Sequence, residues 1–165
     1  MRILFLSLRC PFPPHRGDRI RNYNFIKYLA KHHAVTVVSF VESKQEIENI
    51  EALTSLCERT EFVPFSHFEA RKNCIFNFFS KAPLQTHYWR SIKMQKTIDN
   101  LLQKMDFELV HAHLFRMGQY ISNYSEIPKM LDLCDSIALN LSRRIKIDRS
   151  AVSPLLKIEQ KRTRN

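Results

Sequence analysis

The sequence predicts an α/β fold: a Rossmann-like, doubly wound, mostly parallel sheet. Three observations point there. Short apolar runs alternate with helical stretches from end to end. The first run, residues 2 to 8, has the pattern of a buried strand of a parallel sheet. The 165 residues contain no internal repeat, no low-complexity segment and no clean linker, so they read as one domain, 1–165.

The elements follow in order. Residues 2 to 8, RILFLSL, form a first buried strand with a charge only at its start. After the loop 9 to 17, Asp18 is placed to cap a helix running to about His32. Tyr23, Ile26, Leu29 and Ala30 give that helix an apolar face. AVTVVSFV, 34 to 41, is a second strand rich in β-branched residues. Residues 44 to 58 read as a helix, with Ile47, Ile50, Leu53 and Leu56 at helical spacing. EFVPF, 61 to 65, is a shorter third strand whose Pro64 marks an end or an edge. Residues 67 to 83 are less regular. Residues 89 to 105 are helical, with Met94, Ile98, Leu101, Leu102 and Met105 on one side. FELVHAHL, 107 to 114, is a fourth strand, and 115 to 124 look helical. PKMLDLCD, 128 to 135, is a fifth strand. Residues 137 to 147 form a helix, and Ser153 caps another with Pro154 at its first position. That last helix shows no stop signal, which fits either a fragment or a frayed basic end.

Composition narrows the function. The chain is 44% hydrophobic with a formal net charge of +10. Nucleic acid, an anionic membrane surface and phosphorylated ligands are all compatible partners. The four cysteines, Cys10, Cys57, Cys74 and Cys134, have no metal-ligand spacing and read as ordinary thiols of a reducing, cytoplasmic compartment. No signal peptide and no stretch of membrane-spanning length is present. There is no G-x-G-x-x-G, no P-loop and no G-x-S-x-G elbow.

Four stretches carry chemistry. In PFPPHRGDRIR the prolines stiffen the path out of the first strand. Gly17, one of only two glycines, allows an unusual backbone or a close ligand approach. The following helix start, with His15, Arg16, Arg19 and Arg21, offers a place for a diphosphate. The alternative is a rigid turn with solvated arginines. In HAH, strand alternation puts His111 and His113 on one face. They are candidates for hydrogen-bonding a hydroxyl-rich ligand, or one of them is a core histidine satisfied by a carbonyl; a zinc site lacks a convincing third ligand. Asp132 and Asp135 end the fifth strand, where a carboxylate can accept from a sugar hydroxyl, although Asp135 or Ser136 can equally cap the next helix. Residues 67 to 90 interleave Phe76, Phe78, Phe79 and Trp89 with Arg71, Lys72 and Lys81. That mixture suits a membrane interface, or stacking on single-stranded nucleic acid, or an ordinary core-facing helix. The sequence carries no recognised nucleic-acid motif, so nucleic acid ranks below the membrane.

The first loop resembles that of family 4 (group 1) retaining glycosyltransferases, and more narrowly the sugar transferases of bacterial exopolysaccharide clusters. Their pattern P-[YF]-P-P-x-x-G-D-[KR]-x-R is met by Pro11, Phe12, Pro13, Pro14, Gly17, Asp18, Arg19 and Arg21. LVHAHLFRMGQY and PKMLDLCDSIALNLSRR are similar in order and spacing. The resemblance implies the amino-terminal, acceptor-side half of a GT-B enzyme, whose donor-binding carboxyl-terminal domain is absent from this chain. It implies transfer of a sugar from a UDP- or GDP-sugar, with retention, to a glycan or lipid-linked acceptor. No metal and no other cofactor is implied. Pro14, Arg16, Gly17, Asp18 and Arg21 would approach the diphosphate. His113, the candidate catalytic residue, would face the transferred sugar or the acceptor, and His111, Asp132, Asp135 and Asn140 would line the acceptor side. Gly17-Asp18 replaces the paired glycines of many relatives, so Asp18 would cap the helix or meet an acceptor hydroxyl. Arg71, Lys72, Phe76, Phe78, Phe79, Lys81 and Trp89 would dock the domain on anionic lipid at the inner face of the cytoplasmic membrane. The isolated chain is expected to be inactive. The rival readings are a basic nucleic-acid-binding protein and a non-catalytic subunit of a split transferase.

Overall fold

In the computed structural model, residues 1–43, 45–46, 50–134, 136–147 and 153–164 are described. The five strands are β1 (Arg2–Ser7), β2 (Ala34–Val41), β3 (Arg59–Pro64), β4 (Leu109–His113) and β5 (Lys129–Asp132). They form one sheet in the order β3-β2-β1-β4-β5, with every neighbouring pair parallel. This is the Rossmann-like, doubly wound arrangement the sequence predicts. The chain steps outward from β1 to β3, then returns to the other side of β1 to add β4 and β5. The reversal falls between β1 and β4, where open α/β sheets leave a crevice beyond the strands' carboxyl ends.

The described helices are α1 (Gly17–Leu29), α2 (Glu51–Thr54), α3 (His67–Phe76), α4 (Leu84–Tyr88), α5 (Ile92–Lys104), α6 (Phe115–Gly118), α7 (Ile137–Ile147) and α8 (Ser153–Arg164). One face of the sheet packs Phe5, Val35, Val37 and Val41 against Ile26 of α1 and Leu53 of α2. Tyr23, Leu29 and Ala30 close over that cluster, as their spacing predicts. The alternate residues point the other way, where Phe40 meets the rings of Phe65 and Tyr120. Both faces are thus covered, which is why β1 and β2 carry apolar residues on both faces, with Thr36 and Ser39 as small polar exceptions in β2. On α5, Met94, Ile98 and Leu101 are buried, and the Ser91 hydroxyl accepts from the Met94 N–H as an N-cap.

Several boundaries differ from expectation. α1 stops at Leu29, followed by a hydrogen-bonded turn through His33. Asp18 does not cap it: Arg16 occupies the cap position with no side-chain bond, and Asp18 sits inside the first turn. The helix expected over 44 to 58 is described only at 45–46 and in α2; 44 and 47–49 lie outside the described residues. Ser136 caps α7 by accepting from the Leu139 N–H, while Asp135 lies outside the described residues. Ser153 lies within α8 rather than before it.

By contacts the chain forms two compact units. One is the sheet unit, Met1–Ser66 with Ser91–Asp132; the other is a helical unit, His67–Arg90 with Leu133–Asn165. The helical unit joins two segments distant in sequence, so no linker composition announces it. Within it the Glu159 carboxylate accepts from the N–H groups of Leu84 and Gln85, tying α8 to the start of α4. Among the described residues no helix is long and apolar enough to cross a membrane.

Candidate functional site

The site is built where β1 and β4 end side by side. Ser7 is the last residue of β1 and His113 the last of β4, with Leu6 paired to Ala112 in the register. The proline-rich loop leaves β1 and delivers the chain to α1. Asn22, one turn into α1, bridges the two strand ends. Its Nδ2 lies 2.9 Å from Ser7 Oγ and 3.0 Å from His113 Nδ1, and all three side chains are buried. The first loop and the fourth-strand histidine, quoted from distant parts of the sequence, therefore meet through a side chain that the sequence reading did not single out.

Asp132 ends β5 directly across from His113. One of its carboxylate oxygens comes within 4.8 Å of a ring nitrogen of His113. Arg21 donates to it from Nη2 at 2.8 Å. Arg9, just past β1, pairs with Asp18 at 3.3 Å and with Glu42 at 3.5 Å. Asp18 thus holds a guanidinium and favours the positive end of the α1 dipole, rather than capping it. Arg116 stands in α6, directly after β4. Burial lowers the pKa of its guanidinium, and the neighbouring Arg9 charge adds to that. Cationic groups that follow the adjacent strands β1 and β4 are gathered at this end of the sheet.

The loop residues fall into distinct classes. Arg16 and Gly17 are exposed, at the open start of α1. A Cβ at Gly17 would meet nothing within 4 Å among the described residues, and its φ is not positive. Of the two reasons for a glycine there, the unusual backbone is excluded; the room above the helix start remains. Pro14 is half-buried, and the preceding Phe12–Pro13 peptide is cis. Arg19 does not belong to the site. It is 4% exposed and paired with Glu46, so, unlike the exposed Arg21, it is not presented to a ligand.

The two histidines divide likewise. Both face α1, as alternation predicts. His113 is at the strand end, but His111 lies one pleat deeper. It stacks on Phe5 with centroids 4.5 Å apart and tilts against Phe25 at 5.2 Å. It is a core histidine kept neutral by burial, not a residue at the strand mouth. Burial also depresses His113, to about 4. Asp132 and Asp18 oppose that shift, while His111 and Arg21 add to it. Leu114, immediately after His113, has φ 71 and ψ 148, a conformation nearly confined to glycine. Its N–H donates to the Asp132 carbonyl at 2.7 Å, which holds the strained turn in place. Nothing in a leucine codon position signals such strain in advance.

The helical unit carries Asn140 on α7, exposed. It also carries the aromatic-basic stretch. Phe68, Ile75, Phe76 and Phe79 recur at helical spacing along and just beyond α3, and all are strongly exposed, Phe79 at 94%. Arg71, Lys72 and Lys81 are exposed beside them, with Lys72 Nζ 4.5 Å from the centre of the Phe68 ring. Phe78 is less exposed and stands at right angles to Phe79. Trp89 does not join this surface: it is 6% exposed and packs edge-on against Tyr88.

No protein-family model matches this chain. No curated protein matches it either. Among solved structures, the chain is similar to the C-terminal domain of a hydrogenase from Pyrococcus furiosus. The identity is 16%, the TM-score is 0.49, and the match covers 80% of this chain and 91% of that one. That likeness is too slight to bear on function.

Proposed function

We propose that this chain is the acceptor-side domain of a retaining sugar transferase that uses a UDP- or GDP-sugar and a glycan acceptor. The observation that supports this reading best is the meeting of the proline-stiffened loop and His113 at the switch point of the sheet. In open α/β folds that crevice is where ligands bind. Its chemistry suits a sugar joined to a diphosphate. Arg16, Arg21 and the free N–H groups at the start of α1 favour an anion. His113 and Asp132 offer polar atoms for hydroxyl groups beside it. Charge that develops on a departing diphosphate is offset by such preorganised cations and dipoles. In this reading a second, donor-binding lobe supplies the rest of the site, and the chain by itself turns over no sugar nucleotide. The exposed apolar stripe of α3, with Arg71, Lys72 and Lys81 beside it, presents the domain to an anionic membrane carrying a lipid-linked acceptor.

Calorimetric titration with UDP and GDP tests the anion half of this reading. The paired substitution Arg16→Gln and Arg21→Gln should weaken UDP binding about tenfold, with a steep loss of affinity in salt. Equal affinity in the parent and the paired variant would remove the loop from the site.

A further inference from the structure

The hydrogen bonds around Asn22 permit one assignment. Ser7 Oγ lies 2.7 Å from the Arg9 carbonyl oxygen. A carbonyl only accepts, so the single hydroxyl hydrogen of Ser7 is committed there. Ser7 Oγ must therefore accept from Asn22, 2.9 Å away, and the Asn22 atom facing it is the Nδ2 amide nitrogen. This settles which way round the amide lies, a choice that distances alone leave open. The second hydrogen of the same Nδ2 faces His113 Nδ1 at 3.0 Å. Nδ1 accepts that hydrogen, and in the neutral ring the proton is then on Nε2.

We infer that Asn22 is the positioning residue of the switch-point site, holding His113 as an Nε2–H donor that can meet only a hydrogen-bond acceptor. Asn22 is 4% exposed and His113 1% exposed, so water does not compete for these bonds. Among the described residues of the sheet unit, the charged and titratable groups acting on the ring are Asp132 from β5, Asp18 and Arg21 from α1, and His111 from its own strand. Burial outweighs the two carboxylates and keeps the ring neutral down to about pH 4. An imidazole so held cannot take a proton from a sugar hydroxyl; it orients an oxygen. That consequence rests on the transferase reading, whereas the tautomer does not.

Nitrogen-15 NMR of histidine-labelled full-length protein reads the tautomer directly. The His113 ring signals are identified, among the seven histidines, by their loss in His113→Gln. The parent should show Nε2–H with Nδ1 bare, and a midpoint near 4. Asn22→Asp replaces the donor with a carboxylate. It should move the proton to Nδ1 and raise the midpoint by about one pH unit or more. Asn22→Leu, which introduces no charge, should leave a mixture of both tautomers. An Nδ1–H ring in the parent would overturn the assignment. So would a pure Nε2–H ring in Asn22→Asp or Asn22→Leu, because another group would then be fixing it. Failure of the UDP titration would leave these signals untouched, so the two proposals fall separately.

Discussion

Arg19 and Arg21 stand two positions apart on α1 and meet opposite fates. Arg19 turns inward to Glu46, with side-chain exposures of 5% and 16%. Arg21 stays 57% exposed and reaches Asp132 at the end of β5. A linear sequence marks both as basic and near a loop; only the helical turn decides which one faces protein. The first pair is costly to break, because a buried guanidinium would lose its counter-charge while its Nε has no hydrogen-bond partner among the described residues. Glu46→Ala should destabilise the protein by about 3 kcal/mol in urea unfolding. Arg21→Ala, at a largely exposed pair, should cost under about 1 kcal/mol in the same experiment. Comparable costs would mean that Arg19 is not buried as described. The histidines show the same limit of reading. Alternation gives the shared face of His111 and His113, but not that one lies between two phenylalanine rings.

At the scale of elements, legibility follows amphipathicity. α5 and α7 have clear apolar stripes and begin within a few residues of where spacing places them, α7 at both ends. α1 is less clearly striped: Phe25, Tyr28 and Ile20 are exposed, while Asn22 and Arg19 are buried. Its start falls at Gly17, before Asp18, which resembles a cap but serves Arg9 instead. The apolar and basic residues of 67 to 90 were visible as a mixture, but not their division into an exposed stripe and a buried Trp89. That division makes the membrane proposal specific. Phe76→Ser together with Phe79→Ser should sharply reduce flotation with vesicles rich in anionic lipid at low salt, with the unfolding midpoint unchanged, since both rings face solvent. Trp89→Ser should instead lower stability. Equal recovery of the parent protein with neutral and anionic vesicles would end the docking proposal.

For the whole molecule, the order β3-β2-β1-β4-β5 is the decisive fact of the fold. The succession of strands and helices predicts a parallel sheet, and right-handed crossovers limit how it can be wound. The succession does not reveal that the strands and helices divide into two units, because the helical unit is closed by α8 contacting a segment some seventy residues earlier, as the Glu159 bonds to Leu84 and Gln85 illustrate. The strand order also gives the site its location: it sets the first loop beside the end of β4, so two motifs about ninety residues apart serve one crevice, joined by Asn22 and His113. The most direct test of that convergence is backbone amide shift mapping of the labelled protein during titration with UDP, with inorganic pyrophosphate as the parallel probe. The account predicts shifts concentrated at residues 14 to 22, around His113 and at Asp132. Shifts confined to the opposite end of the sheet, or none at millimolar UDP, would contradict it.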